Sequence, residues 1–313
     1  MRGSRPLLAL LAGALLAGPA PAQTPPAPQA PKPFTIEVDV NVVSVTAVVF
    51  DKGGRFIRDL GPKDVTLLED GVPQEVAYFQ EASSQAGERI PLTVVLVLDT
   101  SGSMTPSLRF LQQAVLNFVY KLEEVDQALV VSFNESVKGS AEFTEDIDRL
   151  ERFVDGLQAW GGTSLYDAIG YSLGRIRDQP GRKAVIVFSD GDDTTSSSSD
   201  REVIDFARAV EATVYGIGFR GRGFGGGARG FLRKVSEETG GSHFFPDNVG
   251  DLIRVFQSIS DELKNHYLLS YTPKRDPDGS WRAITLKVAA RSDAEVRVRK
   301  GYFAVQRRRP PRP

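Results

Sequence analysis

The chain contains no cysteine and only two histidines among its 313 residues. Without cysteine, the protein forms no disulfide, carries no lipid anchor on a cysteine and offers no thiolate to a metal. The two histidines, His243 and His266, are the only candidate bases for a serine hydrolase triad, and such a triad is not indicated. Stability must therefore come from a packed apolar core, supplemented by any metal that the folded chain binds.

The chain also lacks a large excess of either charge. Its 38 basic and 40 acidic residues give a formal net charge of −2. Arg2 and Arg5 are the only charged residues before Gln23, so the rest of the chain has 36 basic residues against 40 acidic ones. We therefore expect no nucleic-acid-binding surface.

The longest apolar stretch lies near the N-terminus. Arg2 and Arg5 precede an apolar stretch at 7–16, and Ala20-Pro21-Ala22 is a small-x-small sequence. This is the pattern of a secretory signal peptide over residues 1–22, and the run is short for a membrane span. We expect cleavage near Ala22 and Gln23, and a secreted or periplasmic protein with no stable membrane span.

The remaining sequence divides into five segments. Residues 23–33 form a proline-rich linker, and 305–313 form a basic tail that is expected to be disordered. Alternating apolar residues predict β structure at 34–88 and again at 265–304. Each of these two segments is small for an independent core, so we expect them to pack together as one β-sandwich. Within the first, Glu69-Asp70-Gly71 predicts a hairpin that pairs 65–68 with 76–79.

Residues 89–264 alternate strand and helix patterns, which predicts an α/β fold with a doubly wound, mostly parallel sheet. This domain would be inserted between the two β segments. Strands are predicted at 94–98, 128–133, 137–143, 185–188, 213–217 and 243–245, and helices at 108–122, 147–157, 166–176, 201–210, 231–238 and 251–263.

Three polar sequences stand out within this segment. Asp99-Thr100-Ser101-Gly102-Ser103 follows one apolar strand, Ser189-Asp190-Gly191 follows another, and Gly161-Gly162-Thr163-Ser164 precedes a helix. Carboxylate and hydroxyl oxygens suit Mg²⁺, Mn²⁺ or Ca²⁺ better than zinc or copper. The alternative is an ordinary strand-to-helix turn in which Ser103 or Thr105 caps the helix.

Taken in order, these three sequences resemble the metal-ion-dependent adhesion site of the von Willebrand factor type A domain. The resemblance covers roughly residues 91–262. It implies that Ser101 and Ser103 bind the metal directly and that Thr163 binds it when the site is engaged. It implies that Asp99 and Asp190 act mostly through waters and hydrogen bonds.

The arrangement of a type A domain between two β segments, closed by Arg299-Lys300-Gly301-Tyr302-Phe303, resembles the VWFA-related Acidobacterial domain proteins. Little functional knowledge transfers from that group. The adhesion-site resemblance and the signal-peptide pattern together predict a secreted protein-binding or adhesion module and not an enzyme. Hydroxyl ligands leave the cation poorly neutralised and one position open, so an Asp or Glu carboxylate of a protein partner can complete its shell. The sequence does not indicate the partner or the oligomeric state.

Two other functions are compatible with the same residues. Asp190-Gly191-Asp192-Asp193-Thr194 matches the nucleophile motif of haloacid-dehalogenase-type phosphatases, with Asp190 as nucleophile and Asp192 as acid. Those enzymes carry the motif on their first strand, whereas here it follows the fourth. The other alternative is a structural scaffold whose metal site does not bind a partner.

Three further features have a structural explanation and a functional one. Gly216-Ile217-Gly218-Phe219-Arg220-Gly221 is a weak nucleotide-binding match, and Arg220, Arg222 and Arg229 could bind an anion, but a flexible loop is favoured. Residues 192–200 are expected to form a solvated, flexible loop beside the site. Trp160 is either a core residue or an exposed contact.

Overall fold

The computed structural model describes residues 42–82, 90–223, 226–289, 291 and 293–305. The predicted signal peptide, the proline-rich linker and residues 34–41 of the first predicted β segment lie outside the described residues, as does the tail from 306 onwards. Among the described residues, no helix combines the length and apolar character needed to cross a membrane.

The described chain contains strands in three sheets and six α-helices. The strands are β1 (Val43–Phe50), β2 (Val65–Glu69), β3 (Val72–Gln74), β4 (Val76–Glu81), β5 (Leu92–Asp99), β6 (Gln127–Phe133), β7 (Val137–Gly139), β8 (Arg182–Gly191), β9 (Thr213–Gly223), β10 (His243–Phe244), β11 (Tyr267–Tyr271), β12 (Trp281–Val288), β13 (Glu295–Val298) and β14 (Gly301–Phe303). The helices are α1 (Leu108–Val119), α2 (Ile147–Asp155), α3 (Leu165–Ile176), α4 (Asp200–Ala209), α5 (Gly226–Thr239) and α6 (Leu252–Lys264).

A six-stranded sheet with the order β10-β9-β8-β5-β6-β7 forms the centre of the α/β part. All neighbouring strands pair in parallel except β7, which is antiparallel to β6. The predicted α/β class with a doubly wound, mostly parallel sheet is confirmed. The chain leaves β5 towards β6 on one side and later returns to β8 on the other, so the strand order reverses between β5 and β8.

Two helical layers cover this sheet because its central strands are apolar on both faces. All eight residues of β5 are buried. Val94, Leu96 and Leu98 pack in one apolar cluster with α1, α2 and α6. Val95 and Val97 point the other way and pack in a second cluster with α3, α4 and α5. An unbroken apolar strand therefore requires a layer of helices on each side.

Two four-stranded sheets, with the orders β13-β1-β11-β4 and β14-β12-β2-β3, are built from both ends of the described chain. β1 pairs with β11, and β2 pairs with β12, both antiparallel. The two sheets share one apolar cluster that includes Val45 of β1, Leu67 of β2, Leu269 of β11 and Leu286 of β12. This sharing supports the predicted β-sandwich, whose boundaries stay a prediction.

The predicted hairpin is correct in its turn and wrong in its second strand. Asp70 and Gly71 have φ values of 47° and 80°, which fits a two-residue turn of the kind that hairpins prefer. The turn pairs β2 with the short β3. The chain then crosses to the other sheet, where β4 pairs with β11 and Phe79 packs on Tyr267. A local turn signal does not tell which sheet the next apolar strand joins.

The glycine-rich segment after residue 217 continues β9 as far as Gly223, so the predicted loop is replaced by strand. A Cβ on Gly216 would lie 3.0 Å from Ser236 Oγ and 3.1 Å from Leu232 Cβ. The first glycine of the nucleotide-like match therefore lets α5 pack closely against the strand.

Candidate functional site

The candidate site lies at the edge of the central sheet where β5 and β8 end. These strands are parallel neighbours, with Leu98 opposite Phe188, so their carboxyl ends meet at the same edge. Asp99 is the last residue of β5, and Asp190 is the next-to-last residue of β8. In doubly wound sheets, ligands bind outside the point where the strand order reverses, and this edge is that point.

Asp99 holds the loop that follows β5. Its side chain is fully buried, and its Oδ1 accepts a hydrogen bond of 2.8 Å from the backbone N–H of Ser101. Its Oδ2 accepts a hydrogen bond of 2.6 Å from the hydroxyl of Ser189 on β8. Burial raises the pKa of Asp99 to about 6, against the opposing effect of these hydrogen bonds. Asp99 thus ties the two strand ends together.

The two serines and Asp190 form a continuous set of oxygen atoms. Ser101 Oγ lies 3.1 Å from Ser103 Oγ, and Ser103 Oγ donates a hydrogen bond of 2.6 Å to Asp190 Oδ1. Asp190 is almost fully buried, and burial raises its pKa. These side chains converge although Ser103 and Asp190 are far apart in sequence.

The helix-cap alternative for this loop is wrong. Residues Gly102–Met104 form a short 3-10 turn, and α1 begins only at Leu108. Ser103 is bonded to Asp190, and the hydroxyl of Thr105 donates to the carbonyl of Gly102. Neither residue caps α1, so the hydroxyl of Ser103 is available to the site.

The segment around Thr163 is joined to the same loop by backbone hydrogen bonds. Trp160 N donates to Thr100 O at 2.9 Å, and Gly102 N donates to Gly161 O at 3.0 Å. Gly161 has a φ of 73°, a conformation that glycine adopts without strain. A Cβ on Gly191 would lie 3.7 Å from Thr163 Oγ1 and 4.0 Å from Ser103 Oγ. Both hydroxyls therefore flank the open space above Gly191.

This set of donors fits a hard divalent cation. In an octahedral Mg²⁺ shell with metal–oxygen distances of about 2.0–2.1 Å, neighbouring ligand oxygens are about 2.9 Å apart. The Ser101 and Ser103 hydroxyl oxygens are already separated by 3.1 Å. Within the described part of the chain, no three His, Cys, Asp or Glu side chains cluster as a metal site. The donors are thus two carboxylates and three hydroxyls, and the assignment of individual ligands stays a prediction.

The loop after Asp190 is held by hydrogen bonds and is not a freely solvated loop. Asp192 Oδ1 accepts from Ala228 N at 2.7 Å, at the start of α5, and Asp193 Oδ2 accepts from Tyr166 N at 3.0 Å, at the start of α3. Ser199 caps α4 in a capping box. One loop therefore fixes the N-terminal ends of three helices beside the site. The acidic and serine-rich composition was visible in the sequence, but the helices that these residues cap were not.

The residues of the alternative functions have structural contacts or surface positions that do not require those functions. Asp192, the acid of the phosphatase alternative, is engaged as a helix cap. The guanidinium of Arg229 lies over the ring of Phe245, while the side chains of Arg220 and Arg222 lie outside the described residues. Trp160 is 45% exposed, so it is a surface residue.

The comparisons with known proteins agree with this architecture. Residues 94–192 match the family model of the von Willebrand factor type A domain. Human inter-alpha-trypsin inhibitor heavy chain H4 is 24% identical over 231 residues, which cover 66% of this chain and 24% of that protein. An uncharacterized protein of Synechocystis is 26% identical over 233 residues, which cover 66% of this chain and 52% of that protein. The chain thus spans between a quarter and about half of the length of these relatives.

Solved structures share the fold at low sequence identity. A von Willebrand factor type A protein from Catenulispora acidiphila has a TM-score of 0.51 and 12% identity, over 82% of this chain and 71% of that one. Proximal thread matrix protein 1 from the mussel byssus, described with a zinc-occupied MIDAS motif, has a TM-score of 0.51 and 15% identity, over 62% and 49%. Residues 94–192 therefore match the von Willebrand factor type A domain, and the α/β part of the chain has the fold of such domains.

Proposed function

We propose that this protein is a metal-dependent protein-binding module. In this proposal Asp99, Ser101, Ser103, Thr163 and Asp190 hold Mg²⁺, or Mn²⁺ or Ca²⁺, and the site captures an Asp or Glu carboxylate of a protein partner. The observation that carries the proposal is the convergence of Ser101 Oγ, Ser103 Oγ and Asp190 Oδ1 at the ends of two neighbouring strands. The metal-occupied motif described for the mussel protein of the same fold supports it.

The charges of the site explain why it would bind a carboxylate. When bound, the cation would supply a Lewis-acidic position for an oxygen ligand of the partner. Ser103 Oγ donates a hydrogen bond to Asp190 Oδ1, so the lone pairs of its hydroxyl oxygen are directed away from Asp190. Asp99 accepts hydrogen bonds from Ser101 N and Ser189 Oγ, so it fixes the loop. Its carboxylate would act on the cation through its charge and not as a direct ligand. Neutral hydroxyls in contact with the metal would leave it electrophilic enough to attract an anion.

The experiment combines metal binding with partner capture. Titration calorimetry with Mn²⁺ should show binding by the intact protein, and Ser101→Ala should weaken it at least tenfold. Ser107→Ala is the matched control, because Ser107 is a nearby buried serine whose side chain makes no capping bond to α1. A glutamate-containing peptide should bind in Mg²⁺ and dissociate in EDTA. Equal Mn²⁺ affinity in all three proteins would overturn the proposed site.

The phosphatase alternative predicts a different outcome of a simple assay. Hydrolysis of p-nitrophenyl phosphate that is lost in both Asp190→Asn and Asp192→Asn would establish it. We expect no turnover, because Asp192 accepts the Ala228 N–H bond and does not face a leaving group as a free acid.

We also propose that the protein acts outside the cytoplasm. The proposal rests on the basic, apolar and small-residue pattern of residues 1–22, which lie outside the described part of the structure. Mass spectrometry of the protein from its native source should find an N-terminus at or near Gln23. An intact Met1 in a cytosolic fraction would contradict this.

A further inference from the structure

A pocket of about 350 Å³ opens on the same rim as the candidate metal site. It lies at the carboxyl end of β6, the strand next to β5, and residues of α2 and β7 contribute to its lining. Its lining includes Thr100, Asn134, Lys138, Arg152, Phe153 and Trp160. None of the five candidate metal-site residues lines the pocket, so the composition of its lining calls for a separate explanation.

The pocket and the metal site share walls. Thr100 lies between Asp99 and Ser101, and its carbonyl accepts the Trp160 N–H bond. Thr100 N donates to Phe133 O, and the next residue, Asn134, accepts at its carbonyl a hydrogen bond of 2.7 Å from Ser164 N, next to Thr163. A molecule bound at the metal site would therefore have the pocket immediately beside it.

The charge of the pocket is opposite to that of the whole chain. Lys138 and Arg152 both line it, no acidic residue does, and the chain has a net charge of −2. Neither cation makes an ion pair or a side-chain hydrogen bond with another described residue. Glu135 packs against Gly161 on the same rim, but it does not line the pocket. Two cations without partners in one concave site favour an anionic ligand.

Aromatic groups give the pocket an apolar wall beside these cations. Trp160 is 45% exposed, and Phe153 is partly buried in the lining. Exposed tryptophan beside arginine is a composition that protein interfaces favour, because it combines apolar contact area with charge recognition. The pocket is therefore suited to the side chain of a peptide more than to a simple ion.

We propose that this pocket binds a second acidic side chain of the same partner, presented beside the one that the metal site captures. The proposal rests on the proposed function and makes it more specific: the partner carries two acidic residues close together. Lys138 is on β7, two strands away from β5, which is a lateral distance of about 10 Å. An extended peptide rises about 3.3 Å per residue, so acids two or three positions apart can reach both places.

The test uses three synthetic peptides and the intact protein in Mg²⁺. One peptide is acetyl-Gly-Glu-Ser-Ser-Glu-Gly-amide, and the other two replace either glutamate by glutamine. NMR titration should show that the peptide with two acids binds about fivefold more tightly than either peptide with one, which is the scale of exposed ion pairs. The indole N–H of Trp160, one of only two tryptophans, should shift only with the two-acid peptide.

Matched variants separate the pocket from general charge. Lys138→Gln with Arg152→Gln should abolish the fivefold difference and leave the Mg²⁺-dependent binding of the one-acid peptides unchanged. Lys121→Gln with Arg149→Gln removes the same charge at exposed positions outside the pocket and should keep the difference. Equal binding of all peptides, or the same loss in the control variant, would overturn the pocket while the metal site stands. Absence of Mg²⁺-dependent binding by every peptide would overturn both proposals.

Discussion

Ser103 Oγ donates a hydrogen bond of 2.6 Å to Asp190 Oδ1 and so joins the loop after β5 to the end of β8. The two residues are brought together because β5 and β8 are parallel neighbours. The contact joins two sequence motifs, and the Ser103 hydroxyl lies close to Gly191, the residue that follows Asp190.

Substitution of this hydroxyl should affect metal binding more than folding. We expect Mg²⁺ to raise the melting temperature of the intact protein, because a ligand of the native state stabilises it by mass action. Ser103→Ala should remove most of this increase, since it deletes one expected metal ligand and the bond to Asp190. Thr105→Val, which removes a hydroxyl bonded only to Gly102 O, should keep the increase. Thermal scans with Mg²⁺ and with EDTA measure both effects, and an unchanged increase in Ser103→Ala would count against Ser103 as a ligand.

His266 should make the protein sensitive to acid. Its side chain is buried, its Nε2 has no hydrogen-bond partner among the described residues, and burial together with the charge of Arg182 lowers its pKa to about 3. An unfolded histidine titrates near 6.5, so the neutral imidazole contributes stability that is complete above that pH and is lost progressively as the pH falls towards 3. The slope is at most about 1.4 kcal/mol per pH unit for one group.

Urea unfolding between pH 4 and pH 7 should therefore show a shallower loss of unfolding free energy in His266→Gln than in the native protein. Other groups with shifted pKa values are common to both proteins and cancel in the difference. His243→Gln should show a smaller effect of the same sign, because burial lowers the pKa of His243 as well but this residue is only half-buried. Parallel pH curves for His266→Gln and the native protein would exclude this role.

Asp193 should stabilise both a helix and the metal site. Its Oδ2 accepts from Tyr166 N at the start of α3, and its carboxylate also accepts both hydrogen bonds from Ser196. Loss of such a cap costs about 1 kcal/mol of unfolding free energy. Because α3 begins directly after Thr163 and Ser164, Asp193→Ala should also weaken Mn²⁺ binding severalfold.

Chemical unfolding and Mn²⁺ titration check these two effects together. Asp178→Ala removes an exposed carboxylate just beyond the other end of α3 and should change neither quantity. A destabilised Asp193→Ala protein with native Mn²⁺ affinity would show that the cap does not position the site.

The two β segments should depend on each other for folding. Glu69 of β2 is buried, and its carboxylate accepts hydrogen bonds from Tyr271, Tyr302 and Arg282, all of which follow the α/β part in sequence. A fragment of residues 34–88 would leave this carboxylate and its apolar neighbours without partners, so we expect it to remain unfolded.

A fragment of residues 89–264 should fold alone and keep its metal site, because its sheet has its own apolar cluster on each face. Circular dichroism and amide NMR spectra distinguish the two fragments. Well-dispersed resonances from monomeric 34–88 would show that this segment is an independent module and would contradict the shared sandwich.

Local sequence patterns were sufficient for the central sheet and for most of its helices. The apolar runs in β5 and β8 are unbroken and buried, and Asp99 and Asp190 follow directly or one residue after them. The motifs that follow them therefore had to meet at one edge of a parallel sheet, and Asp99, Ser101, Ser103 and Asp190 do lie together. Local patterns did not predict which strand a segment pairs with when several distant strands are available. β4, for example, pairs with β11 and not with β2.

The sequence by itself determined the order of strands and helices, because hydrophobic periodicity is a local property that each segment carries with it. It also determined the chemistry of the candidate site, since the oxygen donors follow buried strands. Only the tertiary structure decided that Asp192 and Asp193 cap α5 and α3, and that Lys138 and Arg152 share a pocket beside Thr100. Those relationships depend on how separate segments pack against each other. A contact between distant segments produces no periodic pattern in the sequence around the residues that make it.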